Sequence, residues 1–487
     1  GRRRDSLPGR EFTGDTLQRE LSRGQGELTT RSDYDRLGRL VRRDVFEGEA
    51  QRPAPRRWSR RRDFDYGNNL IREERDDNPF SQTLWKYDSS GRLLAQEGAQ
   101  PGNSSWQWDS AGNPLDRHTS NSVVHNRVTQ LNGIRWQYDI HGRTTEKDNG
   151  QTRWRYRYDD EHRLTDVISE PRDRNKPQVH VSFSYDPLGR RIAKTSQRLV
   201  QGKPAGNPVT TRFVWEGFRL LQEVHDDVPL TYIYSDAQSY EPLARIDGVD
   251  SPELYWFHNA ANGMPERLTD TEGQTCWEGV NNAWGKLLQE YRHQVAGHDQ
   301  NLRMQGQYLD RETGLHYNLF RYFDPDSARF TQQDPIGLAG GLNLYRYAPN
   351  ALGWVDPLGL SCKKIEGKFE EIDKVSLSPS SAATFTNSEY KTVVTTQDIV
   401  MYRVFGGNAG IDGSFVSTVS SGSRIQAKID AALLPQWKNT RQYEAAILVP
   451  KGTTLQIGEV APQITKSNTV LSGGADQIIL PRGWDQD

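Results

Sequence analysis

A short unit recurs through the first half of this 487-residue chain: an aromatic-Asp pair, then Gly three residues after the Asp, then a basic or polar residue. The copies are Tyr34-Asp35 with Gly38-Arg39, Tyr87-Asp88 with Gly91-Arg92, Trp108-Asp109 with Gly112-Asn113, Tyr138-Asp139 with Gly142-Arg143, and Tyr185-Asp186 with Gly189-Arg190. Phe64-Asp65 with Asn68-Asn69 and Tyr158-Asp159 with His162-Arg163 are variants without the Gly. Each unit reads as a β-hairpin: alternating aromatic and polar residues enter, Asp starts the turn, and Gly supplies positive φ. No hairpin buries its aromatic face alone, so a continuous wound sheet held by neighbour contacts is expected.

Composition agrees with a folded sheet. Mean hydropathy is −0.83, yet 13 Trp, 20 Tyr and 15 Phe stand beside a net charge of −2, the reverse of a disordered chain. No apolar run approaches a membrane span, and Gly1-Arg2-Arg3-Arg4 has no signal-peptide core behind it. The chain begins without Met and is expected to continue a longer protein upstream. Two cysteines, Cys276 and Cys362, build neither a disulfide framework nor a four-thiolate zinc site. Near-neutral charge gives no overall nucleic-acid footprint, and the run Arg56, Arg57, Arg60, Arg61, Arg62 reads as a solvated face.

The repeat resembles the YD repeats of Rhs proteins and of teneurin and insecticidal toxin-complex shells, over roughly residues 30 to 320. That resemblance implies a mostly β fold: a hollow spiral of hairpins over 1–320 that encloses a polypeptide. An open β-solenoid or carbohydrate-binding stalk is the alternative, distinguished by whether a plug and a separate cargo follow.

A second duplication lies at Asp334-Pro335-Ile336-Gly337-Leu338 and Asp356-Pro357-Leu358-Gly359-Leu360. Asp-Pro and Pro-x-Gly are turn formers, so two capping turns are one reading. The other is an aspartate pair in which one carboxyl keeps a proton while its neighbour, as base, activates water. The stretch from Pro349 to Leu360 resembles the segment that closes the core of Rhs proteins, which cut themselves after that Leu. The resemblance implies an aspartyl autoprotease segment at 321–360, with Asp334 and Asp356 as its dyad, Arg321 in support, and cleavage at Leu360-Ser361. Arg321 alternatively pairs with Asp324 or Asp326.

Residues 361–487 form a separate domain in which the repeats stop. A flexible lead-in (361–395, with its Ser-rich run 376–387) precedes strands expected at 399–405, 414–419, 444–449, 454–458 and 476–480. A helix at about 423–434 follows from Ile425, Ile429 and Leu433 and stops at Pro435. A small α+β domain results. It contains no His, which removes Ser-His-Asp, Cys-His and zinc-deaminase chemistries. Its 13 Lys+Arg and 13 Asp+Glu argue against bulk nucleic-acid binding.

Three islands put single polar side chains beside glycines: Tyr402-Arg403 with Gly406-Gly407, Gly413 to Ser420, and Gly473-Gly474 with Asp476-Gln477. Their order resembles ADP-ribosyltransferase toxins of the Arg-Ser-Glu type, with Gln477 where Glu is expected. The resemblance implies NAD as substrate over 396–487, catalysis by Arg403, Ser417 and Gln477, and further contacts from Tyr402, Gly406, Gly407 and Thr418, with no metal. The same context resembles NAD glycohydrolase toxins that use Gln, so hydrolysis of NAD is the alternative activity. As a whole the chain resembles an Rhs polymorphic toxin used in interbacterial competition. The family implies type VI secretion, a spike and chaperone engaged through an upstream region, and a cognate immunity protein. It also implies a protein or RNA target in the recipient cytoplasm. An adhesion protein with a non-enzymatic tail is the reading from another class.

Overall fold

Every aromatic-Asp copy closes its own turn through the aspartate. In the computed structural model Asp88 Oδ1 accepts the Arg92 backbone N–H at 2.9 Å and Oδ2 accepts Arg92 Nε at 2.6 Å. Asp139 with Arg143, Asp159 with Arg163 and Asp186 with Arg190 repeat both bonds. In the Asp65 and Asp109 copies the side-chain amides of Asn69 and Asn113 take the place of the guanidinium. The residue before the basic one is left-handed: Gly91 has φ 73° and Gly189 80°, and the copies without Gly place Asn68 at 59° and His162 at 62°. Asn and His are among the few side chains that tolerate this region.

The aromatic residue ties each hairpin to its predecessor. Tyr87 Oη donates to the Leu70 carbonyl at 2.7 Å, Tyr158 to Thr144 at 2.9 Å and Tyr185 to Leu164 at 2.6 Å, while Trp108 Nε1 donates to Leu93 at 2.7 Å. Arginines reach the other way: Arg92 Nη1 donates to the Asp109 carbonyl of the next turn at 2.7 Å. The Tyr-Asp-x-x-Gly-Arg unit therefore encodes its own turn and both of its joints.

The structure describes residues 12–14, 20–35, 38–48, 55–65, 67–77, 81–98, 102–236, 239–292, 298–360, 362–364, 369–396, 398–407, 409–411, 413–417, 433, 439–465, 470–471 and 476–481. The chain divides into two compact units, one of Gln25–Leu28 and Trp58–Ile365, the other of Gly1–Gly24, Thr29–Arg57 and Glu366–Asp487. In the first, a sixteen-stranded sheet runs in sequence order from Gln130–Leu131 to Leu287–Arg292. The winding brings distant hairpins together: Arg75 Nη2 pairs with Glu266 at 2.5 Å and Arg267 Nη2 with Asp77 at 2.8 Å.

The inner face of this sheet is aromatic, and a second, four-stranded sheet fills it. Tyr156, Phe183, Phe213, Tyr232 and Phe257 pack with Tyr308, Leu315, Tyr317 and Tyr322 in one cluster; the last four come from strands Tyr308–Asp310, Leu315–Asn318 and Arg321–Asp324, which Arg329–Phe330 completes. At its centre Arg191, with no exposed side-chain surface, pairs with Asp310 at 2.6 Å. Its guanidinium carbon stands 4.3 Å from the Tyr317 ring centre and 4.7 Å from that of Phe213.

The arginine run is not the uniformly solvated face expected. Arg56, Arg57 and Arg61 are exposed, whereas Arg60 and Arg62 point inward by strand alternation. They pair with Asp77 and Glu73.

A buried carboxylate gives this unit an acid-sensitive joint. Glu223 accepts hydrogen bonds from Tyr308 Oη, Tyr232 Oη and His225 Nε2. Burial raises its pKa, but the hydrogen bond and charge of His225 and the two phenols outweigh it and hold Glu223 at about 2 instead of 4.5. The joint's stabilisation is complete above 4.5 and is lost as pH falls toward about 2. Denaturant titrations of wild type and Glu223→Gln over this interval should differ in pH dependence by about 3 kcal/mol. Equal pH dependence would remove Glu223 as its source.

In the second unit a five-stranded sheet has the spatial order Phe369–Ile372, Lys391–Thr395, Thr454–Glu459, Asp476–Ile479, Phe415–Val416, and Ile399–Gly407 pairs with Asn439–Val449. The expected lead-in at 361–395 instead supplies two of these strands and the short helix Pro379–Ala382. Phe385 and Val393 are buried, which is why the stretch is anchored and not a flexible leader. Of the helix expected at 423–434, every residue but Leu433 lies outside the described residues. Among the described residues no helix is long and apolar enough to cross a membrane.

Candidate active site

Turn chemistry positions the two duplicated aspartates. At Asp334 the carboxylate accepts the Ile336 N–H at 3.1 Å and the carbonyl accepts the Gly337 N–H at 2.9 Å. At Asp356, Oδ1 accepts the Leu360 N–H at 2.9 Å, and Asn318 Nδ2 donates to the Asp356 carbonyl at 2.8 Å. Gly359 is left-handed at φ 68°, and a Cβ there would run into the Asn318 carbonyl oxygen, so the second turn is pressed against the strand Leu315–Asn318.

Arg321 joins the two turns. Its Nη2 lies 3.0 Å from Asp334 Oδ2 and 3.7 Å from Asp356 Oδ2, with all three side chains buried. Nε donates to the Gly359 carbonyl, Nη1 to Leu344 at 3.0 Å, and Nη2 reaches the Leu360 carbonyl at 3.4 Å. The Phe330 ring lies beneath the guanidinium at 3.6 Å. The alternative partners Asp324 and Asp326 are instead taken by Lys147 at 2.8 and 2.7 Å. Sequence position alone left both sets of acids open to Arg321, since Lys147, which takes the alternative pair, stands far away in the chain.

The electrostatics divide the two carboxyls. Burial raises both pKa values; Arg321 and the Ile336 N–H oppose this at Asp334. At Asp356 the Leu360 N–H and Arg321 oppose it, and the neighbouring Asp334 charge raises the value further. Burial pulls Arg321 down to about 10 despite both carboxylates. Asp356 Oδ2 is buried and accepts no hydrogen bond, whereas Asp334 Oδ2 faces the cation. Both carboxyls are thus raised, with the Asp334 charge adding to burial at Asp356, and Asp334 is the one whose Oδ2 stands at 3.0 Å from the cation.

In the tail, Tyr402 and Ser417 exchange both backbone hydrogen bonds, at 2.8 and 2.9 Å. Val416 pairs with Ile478, so side-chain alternation puts Ser417 and Gln477 on the same face. The three sequence-assigned islands thus occupy adjacent strands. Arg403 does not join Ser417 and Gln477 on one face. Strand alternation puts it with Met401 on the side of the apolar cluster of Val416 and Ile478. Its guanidinium donates to the Gly410 and Phe415 carbonyls at 2.8 and 2.7 Å. Gln477 Nε2 donates to Thr384 Oγ1 at 2.7 Å, a partner supplied by the stretch expected as a lead-in. Gly406 and Gly407, at φ 135° and 68°, shape the strand's end, where a Cβ on Gly406 would meet Thr440. Thr418 lies outside the described residues. Among the described residues no three His, Cys, Asp or Glu side chains group as a metal site.

Known proteins resemble this chain in sequence and in fold. A family model described as "RHS protein" matches residues 254–291. "Double-stranded DNA deaminase toxin A" of Burkholderia cenocepacia is 40% identical over 74% of this chain and 26% of its own length. "Toxin protein Tse5" of Pseudomonas aeruginosa is 29% identical over 72% of this chain and 30% of its own. The chain therefore spans about a quarter to a third of these curated relatives. The crystal structure of TcdB2-TccC3 covers 72% of this chain and 20% of that one, at 18% identity and a TM-score of 0.55, a likeness of fold. In its matched RHS segment, in the toxin relatives that align with it and in its nearly all-β fold, the chain is similar to Rhs-type toxin proteins.

Proposed function

We propose that this chain cuts itself at Leu360-Ser361 and so frees residues 361–487 as the toxic part of an Rhs-type antibacterial protein. The observation that carries the reading is one buried guanidinium contacting both aspartates and the carbonyl of the scissile residue. Asp334 takes a proton from water, whose oxygen attacks the Leu360 carbonyl carbon while Arg321 Nη2 draws charge onto the carbonyl oxygen. Asp356 gives its proton to the Ser361 nitrogen as the C–N bond breaks. The products are a Leu360 carboxylate and a Ser361 ammonium group, which takes up the proton of the new carboxyl, and the proton that Asp334 took from water passes to Asp356 and restores the dyad. Cleavage in Asp334→Asn and Asp356→Asn variants tests the reading.

For the freed tail we propose NAD cleavage at the nicotinamide-ribose bond, the step shared by transfer to a macromolecule and by hydrolysis. Relatives similar over about three-quarters of this chain are named for different activities, a double-stranded DNA deaminase toxin and a probable deoxyribonuclease, so a relative's chemistry does not pass to this tail. The pairing of Tyr402 with Ser417 and of Val416 with Ile478, which brings the three islands onto neighbouring strands, supports the reading, with Gln477 held by Thr384. Arg403 is assigned to holding the loop from Gly410 to Phe415. With the full chain expressed in bacteria, Gln477→Ala should abolish NAD loss and toxicity without lowering the tail's melting temperature. Arg403→Ala should lower that temperature, since it removes two charged hydrogen bonds worth about 3 kcal/mol together. An Arg403→Ala tail of unchanged stability that loses only NAD consumption would return Arg403 to the site. Label from tagged NAD on protein or RNA would distinguish transfer from hydrolysis.

A further inference from the structure

Gly340 lies at the dyad without carrying any functional group, and its lack of a side chain is the point. A Cβ built there would overlap Asp334 Oδ2 and stand 2.9 Å from the Leu360 carbonyl oxygen. Both approaches are well inside van der Waals contact, and the groups met are the ion-paired base and the carbonyl under attack.

The usual reason for a glycine does not apply. Gly337 and Gly341, its neighbours in the same loop, have φ of 59° and 124°, but Gly340 is not among the glycines of positive φ. It belongs to the 3-10 turn Gly337–Gly340, a conformation open to any L residue. A Cβ on Gly337, by contrast, would meet nothing within 4 Å. One glycine of the loop is therefore required by backbone conformation with empty space around it, and the other by space alone.

Resting on the self-cleavage reading, we propose that Gly340 is a positioning residue for that reaction: its bare Cα lets Asp334 stand on Arg321 beside the Leu360 carbonyl. Any side chain at 340 pushes the Asp334 carboxylate off Arg321 or displaces the scissile carbonyl. The Leu338 and Leu342 side chains face solvent, so the loop presses on the dyad through this glycine and not through its apolar residues. The effect of a methyl group there should fall on the reaction and not on the fold.

The experiment uses the full chain made by cell-free translation, with loss of the intact band followed over time across a pH series. Gly340→Ala is compared with Gly337→Asn, Asp334→Asn and wild type, together with the melting temperature of each. Gly340→Ala should slow cleavage by about 100-fold or more, the cost of a misplacement of about 1 Å, at unchanged melting temperature. The acid limb of its residual pH profile should move upward, because Asp334 parted from the guanidinium holds its proton more firmly. Gly337→Asn should cut like wild type. Cleavage of Gly340→Ala at the wild-type rate and pH profile, with Asp334→Asn inactive, overturns this proposal alone. A slow Gly340→Ala with an unmoved pH profile and lowered melting temperature also overturns it, as a mere folding defect. Cleavage by Asp334→Asn overturns the dyad reading itself.

Discussion

Asp334→Asn and Asp356→Asn chains should each remain a single polypeptide on a denaturing gel while the wild type appears as two. Both substitutions keep shape and volume. The Asp356→Asn side chain retains an oxygen for the Leu360 N–H, the bond that Asp356 Oδ1 makes, but carries no acidic proton for the leaving nitrogen. The Asp334→Asn side chain cannot take a proton from water, and it leaves Arg321 without the carboxylate at 3.0 Å. Loss of either acid-base partner slows such a step by roughly 100- to 10,000-fold. The pH profile follows from the directions of the shifts. Because burial raises both carboxyls, the interval in which Asp334 is ionised and Asp356 protonated lies above the ordinary carboxylate range. Cleavage should fail on its acid side as Asp334 protonates and on its alkaline side as Asp356 ionises. A variant of either residue that still yields two fragments would contradict the dyad.

The second large effect concerns the filling of the sheet. Arg191→Leu should lower the stability of the first unit by about 3 kcal/mol, the cost of breaking a buried ion pair and leaving Asp310 with Lys194, at 3.5 Å, as its remaining cation. The charge at risk is Asp310, whose side chain, like that of Arg191, has no exposed surface. The substitution also removes the cation from the faces of Tyr317 and Phe213. Because Asp310, Tyr308, Tyr317 and Tyr322 belong to the inserted four-stranded sheet and Phe183 and Phe213 to the wound one, the loss falls on the joint between them. Arg191→Leu combined with Asp310→Leu should recover part of the loss, since the carboxylate deprived of Arg191 is then gone and Lys194 keeps Glu312 at 3.0 Å. Denaturant unfolding measures both. A double variant no more stable than Arg191→Leu alone would show that the rings, and not the ion pair, carry the joint.

These results bear on what a sequence of this kind discloses. The turns were legible because Asp, Gly and Arg lie within five residues and bond to one another, so local spacing carries the geometry. Asp270-Gly273-Gln274 and Asn282-Gly285-Lys286 close the same way through the Asp270 and Asn282 side chains. They escaped notice because no aromatic residue precedes the Asp or Asn. Arg60 and Arg62 were misread because their inward face depends on partners in other strands, among them Asp77 and Glu73. The aspartate pair was legible through duplication of its turn, whereas Arg321's choice between two sets of acids needed Lys147 in place on Asp324 and Asp326. In the tail, strands stand where five were expected, but Phe369–Ile372 and Lys391–Thr395 were missed, as were the strands' faces. Whether Arg403 stands beside Ser417 depends on a pairing of Tyr402 with Ser417 that residue order does not reveal.

The account turns on one peptide bond, and the intact mass of the purified wild-type chain, with N-terminal sequencing of what it contains, tests it most directly. Two polypeptides, one ending at Leu360 and one beginning at Ser361, are the predicted result. A single uncut chain, or a new N-terminus at any other residue, would contradict it.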